Sequence, residues 1–188
     1  MCVCRVLSVY SRNLSISILG LTVLLCAGCE PPKPSAAPIR RGTPAYEGTI
    51  VTVFDDSVAS SAAGFPGASS DAPGRDSAFG ARAQQADYIV SARLVTTESP
   101  PAGGHLITFR TLEKIAGKLT APATFQVQLS PENAYNKLLD VPNSPLLAKP
   151  LIVFVKEFVV NETMVLHVRL EPDTNEVRMA IAAQRARS

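Results

Sequence analysis

Residues able to do metal or acid–base chemistry are few in this chain of 188 residues. Only two histidines occur, His105 and His167. Beyond Cys29, neither His-x-x-x-His nor Cys-x-x-Cys spacing is present, and a zinc site needs several such ligands. His167 alternates with apolar residues and His105 follows two glycines, so we expect a solvated strand residue and a turn residue. The histidines and cysteines therefore predict no metal site, and the sequence predicts no cofactor.

Adjacent carboxylates occur at Asp55 and Asp56, and Asp71, Asp76 and Asp87 lie further along the chain. Carboxylate oxygens bind hard cations such as Ca²⁺ when several of them converge. The regular acidic spacing of a calcium-binding loop is not found here. Two interpretations are therefore open: a cation site at the adjacent pair, or an ordinary turn.

Nucleophilic catalysis has no local support in the sequence. No Gly-x-Ser-x-Gly motif and no phosphate-binding glycine loop is present. Ser60, Ser69 and Ser70 lie among small residues. Such a loop would not hold a nucleophile in a fixed position, as catalysis requires. We predict no catalytic residue.

The N-terminal segment carries a different kind of chemistry. Its uncharged apolar run, residues 14–25, ends in Ala27-Gly28-Cys29. The run is shorter than the roughly 20 residues of a permanent membrane helix, which favours a cleaved export signal. These residues resemble the signal of bacterial lipoproteins, in which cleavage leaves a lipid-modified cysteine as the first residue. The resemblance implies cleavage between Gly28 and Cys29 and lipid on the Cys29 sulfur.

Two other interpretations fit the same residues. One is an ordinary secretory signal, cut after Gly28 or near Ala36-Ala37, and the other is an uncleaved anchor. Cleavage at Cys29 would leave one cysteine, and hence no internal disulfide. The removed segment would contain the other three, Cys2, Cys4 and Cys26. In lipoproteins the equivalent sulfur carries a diacylglyceryl thioether, and two or three acyl chains hold a protein on the membrane far more firmly than one.

Location follows from the same resemblance. In Gram-negative lipoproteins an aspartate directly after the modified cysteine favours the inner membrane, whereas this chain has Glu30. The resemblance therefore implies an anchor in the outer membrane of the cell envelope, with the protein facing the periplasm or the surface.

Composition divides the chain into three parts. Residues 1–28 are the predicted signal peptide, and the proline-rich residues 29–48 are predicted to be a tether. The remaining 49–188 are long enough for a single β-rich domain with one core. Within it, residues 57–76 are predicted to form a mobile loop rich in Gly, Ser and Pro.

Charge argues against a nucleic-acid partner. The chain has 18 Lys and Arg against 16 Asp and Glu, and loss of Arg5 and Arg12 with the signal would balance them. Non-specific affinity for nucleic acid comes from clustered basic residues that neutralise phosphates. Arg40 and Arg41 in the tether are interpreted as solvated charges.

Period-two alternation of apolar and polar residues predicts a mainly β fold. In the strand at 105–115 we expect Ile107, Phe109 and Ile115 to share one face. Asn161-Glu162-Thr163 is predicted to be the turn of a hairpin. The predicted strands cover residues 49–54, 87–97, 105–115, 124–129, 151–155 and 164–170.

Capping residues predict three helices. Ser77 precedes a helical segment that ends at residue 86, and Ser130-Pro131 precedes a short helix within 131–139. At the C-terminus, Asp173 and Glu176 have the spacing of a capping box. We expect the C-terminal helix to pack on the sheet.

The order of segments 86–94, 107–117, 125–127 and 151–154 is weakly similar to small exported bacterial β-domains with an OB-like barrel. The resemblance implies an α+β, mainly β fold: a small antiparallel sheet or an OB-like barrel, with a short helix near 131–139 and a C-terminal helix. It transfers no functional residue.

Together these features predict a membrane-anchored envelope lipoprotein. Its β-rich domain would be non-catalytic and would bind another envelope protein or serve as an accessory subunit. The alternatives are a lipoprotein that binds a small ligand or glycan and, with less support, a hydrolase of unrecognised type.

Overall fold

The computed structural model describes residues 39–65, 73, 75–141 and 144–187. The chain divides into two compact units, Met1–Ser35 and Ala36–Ser188, and every described residue belongs to the second. The predicted cleavage and lipidation residues Gly28 and Cys29 lie outside the described residues.

Six strands and five short helices make up the described part. One sheet contains all six strands in the order β1-β6-β5-β2-β3-β4. The elements are α1 (Ile50–Val53), β1 (Ser57–Val58), α2 (Phe79–Gln85), β2 (Tyr88–Glu98), β3 (His105–Ala116), β4 (Thr124–Leu129), α3 (Asn136–Leu139), α4 (Pro145–Ala148), β5 (Leu151–Val160), β6 (Thr163–Pro172) and α5 (Asn175–Arg185).

The sheet is mixed and curled. β1 runs parallel to β6, and all other neighbouring strands are antiparallel. β4, at one end of the strand order, comes back close to β6, so the sheet forms a half-barrel. The predicted mainly β, barrel-like fold is confirmed.

The inner face of the sheet, toward the inside of the curl, carries the larger core. β4 shows the pattern most clearly, because Phe125, Val127 and Leu129 are buried while the residues between them are exposed. Alternate side chains of a strand point to opposite faces, so the sequence pattern places the strand on this core. α3 and α4 add Leu139 and Leu146.

The outer face is covered over β5 and part of β2. α1, α2 and α5 pack there through a second core that includes Phe54, Phe79, Ile89, Phe154, Phe158 and Ile181. Leu151 to Val155 of β5 is buried on both faces, which explains its unbroken apolar sequence.

The β5–β6 hairpin confirms the prediction and extends it to both strand ends. Asn161 and Glu162 have φ values of 49° and 60°. Two consecutive left-handed residues form the tight turn that matches the twist of paired strands.

The strand predicted at 49–54 is wrong. Ile50–Val53 forms a helical turn, and the Phe54 N–H donates to Ile50 O at 3.1 Å. Because the segment lies on the outer core, the helical turn brings Ile50, Val53 and Phe54 to the same apolar surface. Packing here overrides β propensity.

The shared face predicted for Ile107, Phe109 and Ile115 is also wrong. Ile107 and Phe109 lie in the inner core, whereas Ile115 packs against the outer one. The register of β2 and β3 shifts between Ser91 and Ala92. An extra residue in one strand of a pair reverses the face of the residues after it.

Helix ends differ from the predictions in three places. The N-cap of α2 is Ala78 and not Ser77, and Asp76 accepts from the Ala78 N–H at 2.9 Å in the turn before the helix. α3 is shorter than the predicted 131–139, because the Asn133 side chain accepts from the Tyr135 N–H and holds a turn there. α5 forms where a C-terminal helix was predicted, but its N-cap is Thr174, which accepts from the Val177 N–H, and not Asp173.

Residues 39–48, which the sequence placed in the tether, contact the sheet. We name them the N-terminal strap. Pro44 O accepts from the Val159 N–H at 2.9 Å, and Ala45 forms a parallel bridge with Val159. β5 extends beyond the part that β2 pairs with, and the strap covers this free edge.

The first residues of the predicted loop 57–76 belong to the fold. Ser57–Val58 forms β1, and Ala59, Ala62 and Ala63 are buried in the inner core. Small side chains allow this tight segment to lie against the sheet. Residues 66–72 and 74 lie outside the described residues.

Candidate functional site

A histidine–aspartate pair lies on the outer face of β6. His167 Nδ1 is 2.7 Å from Asp56 Oδ2, and each side chain is only 12% exposed. Because a carboxylate only accepts hydrogen bonds, Nδ1 donates in this contact. Asp56 Oδ1 accepts from the Val168 N–H at 2.8 Å. The prediction of a solvated His167 is wrong, because residues distant in sequence cover it.

The backbone of Asp56 is fixed as well. Its φ of 54° is left-handed, a conformation that Asp adopts more readily than most residues. Asn133 Nδ2 donates to Asp56 O at 2.9 Å. Asp56 therefore connects β6 to the loop that follows β4.

Tyr46 of the strap completes this cluster. Its ring stacks on the imidazole of His167, with centroids 3.5 Å apart and planes at 7°. Phe158 meets both rings edge-on. The Tyr46 hydroxyl donates to Phe54 O at 2.9 Å. Burial, reinforced by neighbouring aspartate charges, raises the pKa of Tyr46 to about 12, so the phenol stays protonated at neutral pH.

An imidazole held through Nδ1 presents Nε2 as a proton acceptor, which is the geometry of a general base. A general base also needs a hydroxyl, thiol or water within reach. In the described ranges, no serine, threonine or cysteine side chain hydrogen-bonds to His167. The geometry instead ties the strap, β6 and the Asp56 loop together.

A buried ionic cluster lies beside this pair. Arg82 of α2 is 2% exposed, and its Nη1 lies 2.8 Å from Asp76 Oδ2 and 3.7 Å from Glu171 Oε1. Arg169 Nε donates to the same Glu171 oxygen at 3.1 Å, and Arg169 Nη1 donates to Ser57 Oγ. The cluster joins α2, β1 and β6.

Glu171 is the most perturbed acid of the cluster. It is completely buried, and burial raises its pKa to about 6 although Arg169 and Arg82 oppose the shift. Its Oε2 has no hydrogen-bond partner in the described part of the chain. For Asp76, burial acts in the upward direction, but the hydrogen bond and charge of Arg82 hold the pKa below its ordinary value.

The carboxylates considered for a cation do not converge. Asp55 accepts from the backbone N–H and the hydroxyl of Ser57, while Asp56 binds His167. Two others pair with separate cations, Asp76 with Arg82 and Asp87 with Lys156. Asp71 lies outside the described residues. Across the ranges the structure covers, no three or more His, Cys, Asp or Glu side chains are grouped to hold a metal.

His105, predicted to be a turn residue, is buried at the start of β3. Its Nε2 lies 3.2 Å from Asp140 Oδ1. The turn before it is made by Gly103 and Gly104, both with positive φ. A Cβ on Gly104 would clash with the carbonyl oxygen of Leu129, so this position requires glycine.

A cleft of about 510 Å³ opens where β5 begins and β6 ends. Its walls include three prolines, Pro145, Pro150 and Pro172, together with Ala62, Ala148 and Leu151. Lys149 and Thr174 are among its polar lining residues. The volume lies in the range that small-molecule sites occupy.

Sequence reasoning missed Tyr46, Ser57, Arg82 and Glu171. One local signal was present: His167, Arg169 and Glu171 occupy alternate positions of one strand and so share a face. Nothing local shows what covers that face, because Asp56 and Arg82 lie far away in the sequence.

No helix in the described part of the chain is both long enough and apolar enough to span a bilayer. Comparison of the chain with protein-family models, curated proteins and solved structures found no match. Residue chemistry and geometry therefore carry the functional argument.

Proposed function

We propose that this chain is a membrane-anchored lipoprotein of the bacterial envelope, with a β-rich body that acts as a non-catalytic protein-binding or accessory subunit. The observation that carries the proposal is the apolar run that ends in Ala27-Gly28-Cys29. The described polar clusters support it, because His167 and Glu171 are engaged by other protein groups.

The position of Cys29 in the sequence supports the same proposal. Cys29 precedes Ile39, the first described residue, by ten residues. A chain advances at most about 3.6 Å per residue, so ten residues reach no further than about 36 Å. A lipid on Cys29 would therefore hold the body within that distance of the membrane surface, within reach of other envelope proteins.

Anchoring is tested by membrane fractionation and by the intact mass of the extracted protein. We expect the native protein in the membrane fraction, with the signal removed and acyl groups added at Cys29. The Cys29→Ser variant should lose the added mass and leave the membrane. Cys26→Ser is the matched control and should remain anchored. A native protein that is freely soluble, unacylated or still carrying residues 1–28 would contradict the proposal.

Partner binding is tested by affinity purification from detergent-solubilised membranes. We expect an envelope protein to co-purify in constant proportion across several detergents and salt concentrations. A protein that runs alone under every condition would contradict this part of the proposal.

A second candidate, small-ligand or glycan binding, is favoured by the cleft of about 510 Å³. Thermal-shift screening should then find a stabilising compound, worth about 2.7 kcal/mol at 100 times Kd. Ala148→Phe would fill the cleft and abolish the shift, whereas Ala182→Phe on the exposed side of α5 would not. Equal shifts in both variants would exclude the cleft as the site.

A further inference from the structure

Two arginines face each other on the part of the outer face that remains open. Arg93 of β2 is paired directly with Arg110 of β3, and both are exposed. Their neighbours Leu94 and Phe109 are buried in the inner core, so both guanidinium groups project outward. The Cβ atoms of directly opposed residues lie about 5 Å apart.

No acidic residue of the described ranges forms an ion pair with either arginine. The contrast with Arg178 is clear, because that guanidinium binds both Asp173 and Glu113. Like charges directly opposed across two strands destabilise the pair. The fold thus carries a repulsion that a bound anionic group would relieve.

Two exposed apolar residues flank the arginines. Val95 lies two residues after Arg93, and Leu112 lies two residues after Arg110. Each is the unpaired residue at a shift in the β2–β3 register. Since the strands are antiparallel, the two side chains lie on opposite sides of the pair. Bulges of this kind redirect side chains and are frequent beside functional sites. We name these four residues the arginine patch.

We propose that the arginine patch docks an acidic segment of a partner protein. Carboxylates of the segment would accept hydrogen bonds from Arg93 and Arg110, and its apolar side chains would contact Val95 and Leu112. Arginine is suited to carboxylates because its planar fork donates two parallel hydrogen bonds. The inference rests on the proposed protein-binding function and specifies its chemistry.

The composition of the patch favours a protein over a lipid surface. Anionic membranes are bound by clusters of roughly four to eight basic residues, whereas this patch has two. Toward β4, its outer-face neighbours Thr108 and Gln126 are uncharged, and Gln126 Nε2 donates to Thr108 Oγ1 at 3.2 Å. On the other side, Glu113 follows Leu112 and pairs with Arg178, which adds no basic charge to the patch. Arginine beside apolar side chains is typical of protein interfaces.

The test uses the native protein, purified in neutral detergent, and a fluorescein-labelled ten-residue peptide of alternating Glu and Leu. Fluorescence anisotropy measures Kd. We expect Arg93→Glu/Arg110→Glu to weaken binding at least about tenfold and Arg93→Lys/Arg110→Lys about threefold, because lysine keeps the charge but not the fork. The control Arg75→Glu/Arg187→Glu makes the same charge change at two other exposed arginines and should change Kd less than twofold. Circular dichroism checks that each variant is folded.

Three results would overturn the inference. The first is that the native protein does not bind the peptide. The second is that the patch variant and the Arg75→Glu/Arg187→Glu control lose binding equally, which would show that only net charge matters. The third is that phosphatidylglycerol vesicles, and not the peptide, bind through Arg93 and Arg110. Failure of the proposed function is distinguishable, because an unacylated Cys29 leaves patch-dependent peptide binding intact. Conversely, if an envelope protein still co-purifies with the Arg93→Glu/Arg110→Glu variant, the proposed function is supported and the arginine patch is excluded as the binding surface.

Discussion

On the outer face of the sheet, the arginines of two regions differ in whether they form ion pairs within the protein. On β6, Arg169 and Glu171 lie beneath α2 and the segment around β1, and each charge has a partner inside the protein. On β2 and β3, Arg93 and Arg110 stand opposed in solvent without an ion pair among the described residues. The alternating pattern is the same in both places. What differs is whether a remote segment covers the strand.

Whether a charged side chain is covered changes how much the free energy of unfolding falls when its partner is removed. A buried charge loses its hydration, so removing one partner leaves a penalty of several kcal/mol. An exposed charge keeps its hydration, and its interactions are weakened by water and salt. We therefore expect equivalent substitutions in the two regions to differ strongly in effect.

The largest difference is expected between Arg82→Leu and Arg93→Leu. Arg82→Leu leaves Asp76 and the buried Glu171 with less compensation and should lower the free energy of unfolding by about 3–5 kcal/mol. Arg93→Leu should change it by less than about 0.5 kcal/mol. Urea unfolding measures both, and equal effects would remove the distinction between the two regions.

Asp56→Ala tests the edge of the covered region. The variant leaves His167 Nδ1 and the Val168 N–H without their acceptor and places Ala at a positive φ, so a loss of about 2–3 kcal/mol is expected. Asp56→Asn keeps an acceptor and should lose about 1 kcal/mol. The exposed Glu132→Ala is the control, within about 0.5 kcal/mol of native in the same urea experiment. Similar losses for all three would argue against this role of Asp56.

The raised pKa of Glu171 predicts that the free energy of unfolding depends on pH, an effect that the arginines of the open region do not contribute. Its folded pKa of about 6 is above the ordinary 4.5, so the folded state binds more protons between these values. The contribution of Glu171 to the free energy of unfolding is fully present below about pH 4.5. It decreases by about 2 kcal/mol as the pH rises through 6. Asp76 and Asp173 have lowered pKa values and act at lower pH.

Thermal unfolding between pH 4 and 7 measures this loss. Glu171→Gln should make the decrease smaller, leaving the part due to Glu157, whose pKa burial also raises. Arg93→Gln should leave the profile unchanged. An undiminished decrease in Glu171→Gln would show that another group is responsible.

The smallest effect is expected from Arg93→Glu alone. The substitution places opposite charges at a directly paired position and should raise the free energy of unfolding by less than about 1 kcal/mol, because water screens the pair. Arg93→Gln removes only the repulsion and should give a smaller gain. Urea unfolding at low and high salt measures both; a gain for Glu that does not shrink with salt would rule out this electrostatic origin.

The fold was predicted correctly where local sequence alone decides the structure, as in a strand that buries alternate residues in a single core. β4 was predicted with its bounds, and the β5–β6 hairpin with its turn, because alternation and turn chemistry are local. It failed at residues 49–54 and at Ile115, where packing on the outer core and a register shift decided the outcome.

The candidate site was predicted less well for the same physical reason. Local sequence determined that His167, Arg169 and Glu171 share a strand face and that Asp56 stands near a turn. Only the tertiary structure brought Tyr46, Asp56 and Arg82 onto that face, across separations that no local pattern encodes. Side-chain alternation is a property of each strand, whereas burial is decided by whatever segment packs on it, and that choice depends on the core of the whole domain.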